Sequence, residues 1–146
     1  MRILLVFPIL LLSGCATTVN LEAAEDANNP ACAEVMVRLP DALGEHQQRF
    51  TNSQATAAWG DPAAVLLRCG LPQVTVSELP CVTAGDFDWL VDETQAPSYR
   101  FISYATNPAV EVIVDSDVAS GVTSLESLEA AVSVLEQTKR CTVISN

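Results

Sequence analysis

Basic side chains are scarce in this sequence. Its 146 residues carry 7 Lys and Arg against 18 Asp and Glu, a net charge of −11 at pH 7. Affinity for nucleic acid rests mainly on Lys and Arg neutralising phosphates, so this balance argues against a nucleic-acid partner. Histidine is scarcer still: His46, in a polar stretch after Gly44, is the one histidine, and any His-based triad or His-rich metal centre would have to use it. A surface-loop position is the expected reading for it. No apolar run approaches the ~20 residues that a membrane-crossing helix needs. Also missing are a G-x-S-x-G nucleophile elbow, the D-x-D-x-D-G order of a Ca²⁺ loop and any CxxC-like pair for a Cys₄ zinc site. The chain is long enough for one core and too short for a second lobe, since a domain typically takes ~100–200 residues.

What is present begins at the amino terminus. Met1-Arg2 supplies a minimal positive start, and Ile3 to Leu12 form a ten-residue apolar run interrupted by Pro8. That is the length of the apolar segment of a secretory signal. Leu12-Ser13-Gly14-Cys15 then matches a bacterial lipobox: branched apolar, small polar, small, cysteine. Small residues let the signal peptidase reach the backbone, and the Cys15 thiol is the nucleophile that takes a diacylglyceryl group. Two or more acyl chains anchor stably where one binds only marginally. Residues 1–14 are therefore expected as a lipoprotein signal peptide, and residues 15–29 as the lipidated Cys15 followed by a flexible tether. Residues 30–146 are expected to form a single extracytoplasmic domain. Removal of Arg2 with the signal leaves 18 acidic against 6 basic groups, a charge of −12, which should hold the body off an anionic membrane.

From Pro30 onward the pattern reads as α+β. Asn29-Pro30 is a helix start, with Asn as N-cap and Pro at the first helical position. Cys32, Val35, Met36 and Leu39 share one helical face. Residues 47–57 are ambiguous, with a strand near Arg49 to Thr51. Ala63 to Cys69, Phe87 to Glu93, Ser98 to Ala105 and Val110 to Asp115 read as strands separated by turn signals. Thr123-Ser124-Leu125-Glu126 reads as a capping box ahead of an apolar stripe at Leu125, Leu128, Val132 and Leu135. The expected fold is an antiparallel sheet of about 4–5 strands flanked by an N-terminal and a C-terminal helix, with two disulfides.

Cys32, Cys69, Cys81 and Cys141 remain after Cys15 is assigned to lipid, and an exported protein is expected to oxidise them. They allow three connectivities. Antiparallel packing of the two helices would favour Cys32–Cys141, leaving Cys69–Cys81 to staple the connection that carries Pro72.

Ala58-Trp59-Gly60-Asp61-Pro62, followed by Leu67-Arg68-Cys69-Gly70-Leu71-Pro72, resembles the A-W-G-D-P-x-x-x-x-L-R-C-G-x-P signature of actinobacterial exported proteins grouped as a domain of unknown function, family 3515. Cys32 with Leu39-Pro40 resembles the family's opening, and Trp89-Leu90-Val91, Phe101-Ile102-Ser103-Tyr104 and Asn107 to Val112 resemble its later strands. Cys141 matches a cysteine near its end. The resemblance covers about Pro30 to Thr142 and implies an envelope location, without an activity.

The chemistry-bearing residues are few. Asp86, Asp88, Asp92 and Glu93 surround Trp89, where Asp88 and Asp92 would alternate onto the wet face of a strand. Asp61 can accept backbone N–H bonds in a Gly-Asp-Pro turn. Arg68, if partly buried, needs a carboxylate, and Asp61 is the expected one. Trp59, Asp61 and Arg68 thus form a candidate binding set, since Arg beside Trp can read an anion or a carbohydrate. No catalytic residue, metal or cofactor is expected. Two function classes follow. One is a lipid-anchored, non-catalytic envelope module binding a protein or cell-wall partner, in contact with the membrane through its anchor only. The other is a small cell-wall hydrolase using carboxylates. The missing nucleophile and metal patterns favour the first.

Overall fold

The computed structural model describes residues 17–142. Ten elements follow one another: α1 (Pro30–Met36), β1 (Ala42–Leu43), β2 (His46–Arg49), β3 (Thr56–Trp59), β4 (Val65–Leu71), β5 (Cys81–Ala84), β6 (Phe87–Asp92), β7 (Ser98–Ser103), β8 (Ala109–Asp115) and α2 (Gly121–Val132). The strands make one antiparallel sheet in the order β1-β2-β3-β4-β8-β7-β6-β5. Two four-strand meanders are thus zipped together along β4 and β8, where Arg68 pairs with Glu111 and Leu67 with Val112. The α+β class stands. The strand number does not: eight are present where four or five were expected, because the short β1, β2, β3 and β5 are too polar or too uniformly apolar to alternate.

Both helices pack on one face of the sheet. Asn29 caps α1 as the sequence indicates, its Oδ1 accepting from Ala31 N at 3.0 Å. The cap of α2 lies three residues earlier than expected, at Ser120, whose side chain accepts from Thr123 N. The stripe Leu125, Leu128, Val132 and Leu135 is buried, against the inward-facing Trp59, Val65, Leu67, Trp89, Val112 and Val114. Ten or so such side chains, at ~1.5–3 kcal/mol each for burial, form the bulk of the core.

Cys69 alternates inward with Val65 and Leu67 and meets Cys32 on α1, forming a disulfide with Cα atoms 5.6 Å apart. Cys81 is bonded to Cys141 with Cα atoms 5.8 Å apart. The expected pairing of Cys32 with Cys141 and of Cys69 with Cys81 is therefore corrected. Cys141 lies nine residues beyond α2, and the intervening chain turns away from α1. Thr138 N donates to Ala105 O, Gln137 bridges the carbonyls of Asp88 and Tyr104, and Cys141 N reaches Asp88 Oδ2 at 2.7 Å. The tail is thereby laid along β5 and β6.

The segment from Thr17 to Asn29 is not a free coil. Val19 makes a parallel bridge to Thr51, Leu21 N donates to Asn52 Oδ1, and Asp26 N donates to Gly70 O. Hydrogen bonds hold this polar segment down along most of its length, and Ala27 joins the core near its end. Gly70 explains the closeness: its φ of +108° is disallowed for most side chains, and a Cβ there would stand 2.5 Å from the Asp26 carbonyl carbon. Cys15 lies outside the described residues.

Candidate functional site

The face of the sheet opposite the helices is covered in two places. The 72–80 connection closes over Leu90, Ile102 and Ala109, and the amino-terminal segment overhangs β4. Between them lies a groove of about 290 Å³, whose floor is Leu66, Arg68, Glu111 and Ile113 and whose lip is Asn20, Leu21 and Glu22.

Strand alternation positions the floor. Leu66 stands opposite Ile113 and Arg68 opposite Glu111, while Ile113 stands opposite Arg100 on β7. Glu111 is buried at 4% exposure in the middle strand, so its charge needs partners. Arg68 supplies Nε at 2.9 Å and Nη2 at 2.8 Å to Glu111 Oε2, and Arg100 Nε donates to Oε1. One carboxylate thus aligns two guanidiniums, each about a third exposed, and the cluster carries one positive charge in excess. A guanidinium offers five donors in a fixed plane. Arg68 retains Nη1, and Arg100 retains its terminal nitrogens, beyond the bonds to Glu111. Two arginines oriented in this way beside an apolar floor can take a carboxylate or phosphate bidentately. Asp92, opposite Arg100 in register, accepts from the hydroxyl and amide of Thr94 at 2.6 and 3.0 Å. The Thr94 hydroxyl, then its amide, hold the Asp92 carboxyl below its ordinary value, with a smaller pull from Arg100.

The residues singled out in the sequence are dispersed. Trp59 is fully buried on the helix side, its Nε1 donating to Pro40 O at 3.0 Å, and offers no surface to a ligand. Asp61 is exposed in its turn and pairs with Arg49 at 3.2 Å, while Arg68 pairs with Glu111, so the expected Asp61–Arg68 pair is replaced by two others. Asp88 does not face water: it is 2% exposed and accepts from Thr83 Oγ1 and Cys141 N at 2.7 Å, with Arg140 at 3.2 Å. His46 lies on β2, its ring Nε2 3.1 Å from Val118 O. Sequence reasoning found Arg68 and missed Glu111 and Arg100. Glu111 carried a signal, an acid at the centre of the apolar run Ala109 to Val114.

No curated protein and no solved structure matches the chain. A family model described as "Protein of unknown function (DUF3515)" matches residues 5–141. That match spans nearly the whole folded body, and the chain belongs to the DUF3515 family.

Proposed function

We propose that this protein is a lipid-anchored module of the cell envelope that binds a ligand without transforming it, with the Arg68–Glu111–Arg100 groove as the binding place. The observation that carries the reading is the pair of guanidiniums, each about a third exposed and aligned by one buried carboxylate, with Arg68 lining the groove beside Leu66 and Ile113 and Arg100 of β7 next to it, opposite Ile113. Glu22 on the opposite lip sets the other half of the specificity. The ligand has a carboxylate or phosphate at the arginine end, apolar surface against the floor, and a hydroxyl or amine near Glu22. The lipobox Leu12-Ser13-Gly14-Cys15 supports the anchor and the extracytoplasmic side of the membrane. The hydrolase reading has less support. Both buried carboxylates, Asp88 and Glu111, are already committed to arginines and hydrogen-bond donors, which leaves neither free to hand a proton to a leaving group.

Titration of the folded domain with acetate, inorganic phosphate and short-chain phosphatidylglycerol, followed through the Nε–H resonances of Arg68 and Arg100, tests the site. At least one probe is expected to shift both resonances saturably and to lose that effect in a folded Arg68→Gln variant. Unchanged arginine resonances with all three probes would count against the groove.

A further inference from the structure

We propose that the β2–β3 hairpin, with Phe50 at the start of its loop, is the face on which this domain rests on the lipid surface. The inference builds on acylation of Cys15, and its argument is where the anchor must emerge. Thr17 is fixed to the domain: Arg49 donates through Nη2 to its carbonyl at 2.6 Å and to its hydroxyl at 3.1 Å. Two residues later Val19 N donates to Phe50 O at 2.8 Å. Cys15 is two residues before Thr17, so their separation is at most about 7 Å even in fully extended chain. No tether intervenes, and acyl chains on Cys15 enter the bilayer beside Arg49 and Phe50.

The surface at that place suits a membrane. Phe50 is 81% exposed, and aromatic rings favour the boundary between lipid and water. In a chain with 18 carboxylates, neither Thr17 to Leu21 nor His46 to Gly60 contains one. Gln47, Gln48, Asn52 and Gln54 give the hairpin an exposed polar surface without negative charge, and Arg49 adds a cation beneath it. The acids that border it are Asp61, paired with Arg49, Glu22 on the lip of the groove, and Asp41 and Glu45 at the two ends of β1, with Asp41 O accepting from Gln48 N at 2.8 Å. An anionic lipid surface repels the acidic body as a whole, and the hairpin from His46 to Gly60 with the Thr17 to Leu21 segment beside it carries none of the repelling groups. An exposed aromatic residue by itself means little. Here it stands where the chain leaves for its anchor.

The test uses the full chain, acylated in its own cell and reconstituted into vesicles of phosphatidylethanolamine and phosphatidylglycerol with brominated acyl chains. Trp59 and Trp89 are buried and supply a constant background. In the Phe50→Trp variant, the added emission is expected to fall by about half relative to unbrominated vesicles, as for a ring in the acyl boundary. The Val76→Trp variant, exposed on the connection to the opposite sheet edge, should be unaffected. Equal emission with and without bromine at position 50, in protein whose mass shows the acyl groups, overturns the orientation while leaving the anchor intact. A mass without acyl groups overturns both.

Discussion

Replacing Cys32 and Cys69 together with alanine is expected to lower the stability of the domain by about 3–4 kcal/mol, or roughly 10–15 °C in melting temperature. The disulfide joins positions 37 apart in sequence, and release of that loop gives the unfolded chain an entropy worth ~4 kcal/mol in the chain-entropy model, an upper figure. Its location adds to the effect. Cys32 and Cys69 are wholly buried where α1 meets β4, and Gly70, the next residue, holds the amino-terminal segment through Asp26. Loosening this corner loosens the lip of the groove as well. The double variant leaves Cys81–Cys141 in place, so thermal melting reads the first bridge alone. Non-reducing peptide mapping checks the pairing independently: a Cys32–Cys69 linked peptide is expected, and a Cys69–Cys81 linked peptide would contradict the fold at this corner.

The second large effect is expected at Glu111. Removing one member of a buried ion pair typically costs ~3–5 kcal/mol, because the other member is left charged without a partner. Arg68 and Arg100 are each about a third exposed, so water recovers part of that, and Glu111→Ala should cost about 2–3 kcal/mol. The comparison that gives the number meaning is the combined Glu111→Leu, Arg68→Met, Arg100→Met variant. Apolar replacement of a whole buried ionic cluster is often neutral or stabilising. The triple variant should therefore unfold in urea at a midpoint near that of the unaltered protein while losing the response of the groove to anions. A cluster that apolar residues could replace without loss of stability is explained by what it binds, whereas a triple variant as unstable as Glu111→Ala would mark the cluster as bracing only.

Much of the fold was legible in the sequence, and the reasons for the misses are specific. The Asn29-Pro30 start, the stripe from Leu125 to Leu135 and the alternating β4 announce themselves by period, whereas β6 and β8, buried on both faces for most of their length, announce themselves as short apolar runs between turn signals. β3 does not alternate: all four of Thr56, Ala57, Ala58 and Trp59 are buried, with Thr56 taken up by the hairpin loop, its hydroxyl bonded to Thr51 Oγ1 and Ser53 O. The disulfide pairing depended on where residues 133–142 travel, and their route is set by hydrogen bonds to Asp88, Tyr104 and Ala105 that no local pattern encodes. The parity of Cys69 with Val65 and Leu67 was the one available sign that it faced a helix.

The candidate site was half legible for a related reason. Arg68 was conspicuous among apolar neighbours, and its need for a carboxylate follows from burial alone. Which carboxylate depends on register across β4 and β8, two strands 43 residues apart at this pair, and only the folded sheet specifies that. Asp61 was nearer in sequence, but the tight turn at Gly60 carries it away toward Arg49.

Because the amino-terminal segment is held on the domain from Thr17 onward, the groove and the proposed anchor share one strand of chain, with Asn20, Leu21 and Glu22 forming the lip only a few residues from Cys15. A ligand presented at the membrane surface would then meet the groove without any large movement of the body. Everything in this arrangement depends on the lipid. The most direct measurement is the intact mass of the protein extracted from the membranes of its own cells, beside a Cys15→Ala variant. The expected result is a mature chain that begins at Cys15 and carries a diacylglyceryl thioether, absent from the variant. A mature chain with an unmodified Cys15 thiol, recovered in the soluble fraction, would contradict it.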